Sequence, residues 1–188
     1  MCRVWLLMIV FYLLGGKSFA QQNDVKPDLK LSNGRMNIAG NLSFPIETNR
    51  HEQSFLGLNI GPQFGIFLAK NFELRSYFNL SAHYEFSHQE HLTDTPIFWD
   101  VGTDAIYYFE TPWLVRPYLG IGLGLGFMGF NIYSLNVIAD IPLGILISLH
   151  EDFAIDIGVP TRIRMAMRSL VDRVQVTPGL IGIRYFFN

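Results

Sequence analysis

"RPYLGIGLGLGF", residues 116–127, sets a glycine at every second position from Gly120 to Gly126, with isoleucine or leucine between. A helix gains nothing from this, since each glycine costs it about 1 kcal/mol relative to alanine. Clustered glycines also occur in nucleotide-binding loops, and Gly124-Leu125-Gly126-Phe127-Met128-Gly129 has the G-x-G-x-x-G spacing. That fingerprint has to open a helix inside a βαβ unit. The chain continues instead as "NIYSLNVIADIPLGILISL" (131–149), which again alternates with a period of two. The stretch therefore reads as a β-strand with two unlike faces. Leu119, Ile121, Leu123, Leu125 and Phe127 form one; Arg116, Tyr118 and the four glycines form the other.

Working outward, the same alternation predicts strands at about 36–44, 55–68, 72–86, 97–109, 115–127, 135–149, 153–165 and 174–187. The phase of the last is irregular before Pro178, where a bulge is expected. In every segment the charged side chains share the face opposite the apolar one. That face carries Glu73, Arg75 and Glu85, then Asp100 and Asp104, then Arg116, Asp140, Asp156, Arg162, Arg164 and Arg184.

The first twenty residues, "MCRVWLLMIVFYLLGGKSFA", have the charge, the short apolar core and the small residues Ser18 and Ala20 of a cleaved signal peptide. The core is shorter than the ~20 residues that span a bilayer. The only cysteine, Cys2, lies within this leader, so the mature chain is expected to use neither disulfides nor thiolate chemistry. Residues 21–34 read as a polar lead-in and 35–188 as the folded domain. Setting aside Arg3 and Lys17 leaves 12 basic against 16 acidic groups, and nothing in that balance recommends nucleic acid. Yet 49% of the chain is hydrophobic and 14% aromatic. An exported, apolar chain with no long apolar helix fits a closed β-barrel, which faces lipid with alternate residues while its strands satisfy one another's backbone.

The expected fold is all-β: an eight-stranded antiparallel up-and-down transmembrane β-barrel. Such a barrel is just wide enough to be filled by side chains, so glycines on the inner face make room for larger groups from other strands. Connections near Lys70, Pro112 and Glu151 are short, whereas those near Arg50, Glu90 and Arg168 are longer and more polar. Phe72, Tyr107, Phe109, Trp113, Phe153, Tyr185 and Phe187 would gather at the short-turn rim, and Tyr84, Phe86, Trp99, Phe127 and Tyr133 at the other.

With "RPYLGIGLGLGF" and the C-terminal "GLIGIRYFFN" (179–188), the chain resembles the small bacterial outer-membrane barrels of the OmpA/OmpX-like type over residues 35–188. The resemblance implies an outer-membrane location in a Gram-negative cell, contact with the lipid bilayer and lipopolysaccharide, and no cofactor. It also implies that the last strand, through Ile181, Ile183, Tyr185 and Phe187, is the signal read by the barrel-assembly machinery. The chain ends in Asn188 where that family usually has Phe.

Function is read as non-enzymatic, with a charged, largely filled lumen and loops as the interaction surface. Arg164, Arg168 and Arg173 are candidates for lipopolysaccharide phosphates. One alternative is a narrow ion or small-solute channel. Another is a lipid-A-modifying barrel enzyme, for which Ser81, His83 and Glu85 are the nearest candidates. Same-face neighbours on a strand stand nearly 7 Å apart at ~3.3 Å per residue, and these three point inward, away from lipid. In the loop "SHQEHLTDT", His88 and His91 with Glu90 and Asp94 read as solvated residues, with a surface metal as the lesser reading. A soluble lipocalin-like barrel would invert the faces and put charge and glycine outside.

Overall fold

The structure, a computed structural model, describes residues 29–49, 54–85, 97–129, 131–166, 173–177 and 179–188. Twelve strand segments build it: β1 (Met36–Ser43), β2 (Ile46–Asn49), β3 (Ser54–Ala69), β4 (Phe72–Glu85), β5 (Ile97–Tyr108), β6 (Val115–Met128), β7 (Asn131–Ile141), β8 (Leu143–Ser148), β9 (Phe153–Gly158), β10 (Thr161–Ala166), β11 (Arg173–Val176) and β12 (Leu180–Phe187). They join into eight staves, because β1 and β2, β7 and β8, β9 and β10, and β11 and β12 each continue one another. Every pairing is antiparallel, each stave meets its sequence neighbour, and the last meets the first through β12–β1 and β11–β2. The barrel is closed, as the alternation predicted.

Prolines explain why eight expected strands appear as twelve segments. A proline has no N–H to give the ladder, and Pro45, Pro142 and Pro160 each fall at a break. Their carbonyls still accept, from Gly57, Gly120 and Thr177 at 2.8, 2.8 and 3.0 Å, so pairing resumes on the far side. All three face inward, and the alternation keeps its phase across them. The break around Pro178 is different. Val174 and Val176 face outward before it, but Gly179 and Ile181 after it, so the phase slips by one residue. Gly179 takes φ +83° there, which supplies the irregularity expected in the last strand.

The outside is an apolar band, with Ile121 and Leu123 on β6 and Ile183 on β12 as its most exposed members. Strand β3 runs 16 residues, more than the about 9–11 needed to cross a bilayer at a tilt. Aromatic pairs stand toward both ends of the barrel. Tyr107–Phe109 and Phe153–Tyr185 lie on the short-turn side, with ring centroids 5.3 and 4.9 Å apart, and Trp99 stacks on Phe127 at 4.2 Å on the other. Phe86 lies outside the described residues, as do the side chains of Tyr84 and Tyr133.

At the short-turn end the interior is apolar, where Phe67, Ile106, Tyr108, Tyr118, Leu146, Ala154 and Phe186 converge. Two residues of the lead-in, Leu29 and Leu31, complete that cluster. The segment is therefore part of the fold at its end, where the sequence reading saw only a polar linker. Alternation again explains it, since Lys30 and Ser32 face water while the leucines face in.

Candidate functional site

The lumen above this cluster holds Glu73, Asp100, Asp104, Asp140 and Asp156 together with Arg75, Arg162, Arg164 and Arg184, all buried. Strand periodicity alone places them there, and the ladder decides who meets whom. In the lower part, Arg184 from β12 is the crossing point. Its Nη2 and Nε donate to Asp156 Oδ2 at 2.5 and 2.8 Å, and its Nη1 reaches both Glu73 oxygens at 3.1 and 3.2 Å. Tyr108 donates its hydroxyl to Glu73, Asn37 donates to the same carboxylate at 2.8 Å, and Tyr118 donates to Asp156 at 2.7 Å. Arg75 donates to Asp104 at 2.7 and 3.2 Å and passes Asp156 at 3.9 Å.

The upper part is built around Asp100. Arg164 grips it with two parallel hydrogen bonds of 2.8 and 2.7 Å and also reaches Gln175 at 3.2 Å. Arg162 donates to Asp140 at 2.9 Å, stands 3.7 Å from Asp100 and lies over the Tyr77 ring, 4.8 Å from its centroid. With the Asn79 amide turned oxygen-inward, it accepts from Arg162 Nη1 and Nη2 at 3.0 and 2.9 Å. Removing one member of a buried pair of this kind costs about 3–5 kcal/mol, because the other stays buried and uncompensated.

The glycines of β6 are the floor of this network. A methyl group on Gly122 would collide with the Asp104 carboxylate, and one on Gly124 would sit 2.7 Å from the Tyr77 hydroxyl. At Gly126 it would lie 2.7 Å from both Arg164 Nη1 and Asp100 Oδ1. Gly144 and Gly158 make the same room for the Tyr118 hydroxyl. At Gly122, Gly124 and Gly126 the missing side chain leaves room for a polar group from another stave, and at Gly120 it leaves room for Ile106 and Pro142.

Two of the expected lumen residues stand apart. Arg116 is only partly buried, at the short-turn mouth, where it reaches Asn71 Oδ1 at 3.4 Å. The side chains of Glu85 and His83 lie outside the described residues, as do the loop residues His88, Glu90, His91 and Asp94 and the side chains of Arg168 and Arg173. Arg164 corrects an expectation, since its guanidinium is buried against Asp100 and turned away from any lipopolysaccharide phosphate. Ile181, Ile183 and Tyr185 face outward on β12, with Phe187 half-buried at its end.

Arg35 was missed in the sequence, although it shares the inward phase of Asn37 and Ala39. It donates to the carbonyls of Lys30 and Glu151 at 2.8 and 2.6 Å and to Asp152 at 2.7 Å, and lies 5.4 Å from the Phe186 ring centroid. It thus fastens the lead-in across the mouth to the turn between β8 and β9. That turn also brings His150, Glu151 and Asp152 close together. Asp152 is already bound to Arg35 and its backbone N–H to His150 Nδ1 at 3.3 Å, so the group reads as a folded turn.

No protein-family model matches the chain, and no curated protein matches it in sequence. Solved structures do match in shape. The chain is similar to Neisserial surface protein A, with a TM-score of 0.62, 16% identity, and coverage of 81% of this chain and 99% of that one. It is similar to the N-terminal β-barrel domain of Pseudomonas aeruginosa OprF (TM-score 0.54, 18% identity, 82% and 98% covered). It is also similar to OprG, an outer membrane protein from the same organism (TM-score 0.54, 14% identity, 84% and 97% covered). The fold is that of the small eight-stranded outer-membrane β-barrels.

Proposed function

We propose that the protein spans the outer membrane as a non-enzymatic barrel whose lumen is held shut by its charge network, and that its loops are its interaction surface. The observation that carries this reading is the segregation of the two faces. The outward band is apolar through the height of the wall, while the inward face buries five carboxylates against five guanidiniums. In water the first would aggregate, and in lipid the second would be ruinous, since a basic residue at the midplane costs about 2–4 kcal/mol. A closed barrel in a bilayer satisfies both. Contact with bilayer lipid follows from the band; contact with lipopolysaccharide, export by a removed leader and delivery through β12 to the assembly machinery belong to the same proposal. Ser81 speaks against lipid-A chemistry, because its hydroxyl is buried on the lumen side of the wall, away from any acyl chain.

The test is migration of membrane-extracted protein on a dodecyl sulfate gel with and without boiling. A detergent-resistant barrel runs at a different position before heating. A single heat-independent band from a soluble fraction overturns the reading.

A further inference from the structure

The ladder between the first and last staves closes the ring, and both staves are interrupted there at one height. Below the break, seven rungs pair Met36 to Leu42 with Phe187 to Ile181. Above it, four rungs pair Ile46 to Asn49 with Val176 to Arg173. Between the rungs Leu42–Ile181 and Ile46–Val176 stand three residues on the first stave, 43–45, against four on the last, 177–180. The break at Pro142 and Pro160 is balanced by comparison. Residues 142–143 face 159–160 there, and Val159 N–H still donates to the Leu143 carbonyl at 2.8 Å. An extra residue on one strand is left unpaired and disrupts the ladder locally, so the closing seam is split into two short ladders.

The lower ladder ends at the short-turn mouth, where Arg35 reaches over it. Its backbone belongs to the first stave, with Phe67 N–H donating to its carbonyl at 2.8 Å. The side chain leaves that stave. Its Nη2 donates to the Glu151 carbonyl at 2.6 Å and to Asp152 Oδ1 at 2.7 Å, in the turn that opens β9. Strand β12 lies between, paired to β1 on one side and to β9 on the other. Facing the guanidinium is the wholly buried ring of Phe186, 5.4 Å from Cζ to centroid, within range of a cation–π contact. Phe186 N–H donates to the Asp152 carbonyl at 2.8 Å, and its ring stands 6.3 Å from that of Phe67. Arg35 is buried, whereas Asp152 keeps 39% of its side chain exposed. The guanidinium is therefore the member of the pair that water cannot replace.

We propose that Arg35 is a latch on the closing seam. The first and last staves part from the break at residues 43–45 toward the short-turn mouth, and the guanidinium on Phe186, bound to the turn beyond it, stops the parting there. Proteins open locally where few bonds hold a segment, with free energies well below that of global unfolding. A split ladder supplies such a place, and Arg35 spans its far end from flank to flank. Through Nη1 it also donates to the Lys30 carbonyl at 2.8 Å, so the lead-in is tied to the same point.

The experiment is amide hydrogen exchange, read residue by residue by NMR, on the full mature chain and the R35A and D152A variants in lipid nanodiscs. Each sample is first run unheated and heated on a dodecyl sulfate gel to establish that it folds. R35A is expected to speed exchange along β1 and β12 by roughly tenfold, most at the mouth end, since it removes hydrogen bonds made by a charged group. The β5–β6 ladder, on the opposite side of the ring, is expected to stay within about twofold. D152A removes only the exposed partner and is expected to speed the same amides by about threefold. It keeps the test alive if R35A does not fold. Exchange that rises evenly around the ring in either folded variant overturns the latch, because it reports a general loss of stability. Unchanged exchange at β1 and β12 in the folded variants overturns it as well.

Discussion

Side chains on β6 obey opposite rules at neighbouring positions. Gly122→Val drives two methyl groups into the space of the Asp104 carboxylate and displaces it from Arg75. Overpacking of this kind costs about 1–3 kcal/mol, so the urea midpoint of the lipid-refolded barrel falls, whereas Ile121→Val next to it leaves the midpoint nearly unchanged. The arginines rank in the same way. Arg184→Ala strands Glu73 and Asp156 in the lumen and lowers stability by about 3–5 kcal/mol. Arg116→Ala, at the rim, lowers it by less than about 1 kcal/mol; equal losses in the two variants would contradict the assigned geometry. Outside the band, Glu110 accepts from Lys70 at 2.6 Å and Asn71 at 2.9 Å, and these bonds hold its carboxyl below the ordinary range. A depressed carboxyl contributes above its unfolded pKa and loses that contribution as pH falls through the folded value. Carbon-detected titration is therefore expected to place Glu110 below free glutamate, and Lys70→Ala to move it back up. At this scale the inward face of residues such as Glu73, Asp100, Arg162 and Arg184 was legible in the sequence, because a period of two leaves only two choices, whereas Arg35 was passed over. Which acid meets which arginine was not, since the partners sit on staves whose register depends on the whole ring.

Strands differ in how they tolerate interruption. Pro45, Pro142 and Pro160 break the ladder and leave the faces in phase, while the break before β12 shifts them by one residue. That shift depends on Gly179 at φ +83°, where no neighbouring atom would obstruct a methyl group. Gly179→Ala is therefore expected to cost only the left-handed conformational penalty, about 1–2 kcal/mol, with the heat-sensitive gel band retained. Gly40→Ala in β1, with equal space and an ordinary φ, serves as the control and is expected to leave the denaturation midpoint in place. The strands themselves were readable from alternation, and the glycine-rich β6 most clearly. The burial of the lead-in's end was not readable: Leu29 and Leu31 form too short an alternation to announce a strand, and they are buried only because an apolar mouth stands over them.

For the whole molecule, closure is the dominant fact. The seam pairs Met36 with Phe187, residues about 150 positions apart in the chain, and no local contact can substitute for that pairing. Until the final stave arrives, the first and seventh each present a raw row of N–H and C=O groups, the template along which sheets aggregate. Shortening this chain from its C-terminal side therefore yields no smaller ring. A ribosome that stalls before β12 releases a ribbon with two adhesive borders and an apolar outer skin. Completion is all-or-none, and an unfinished copy is marked for chaperone capture or proteolysis by its shape alone.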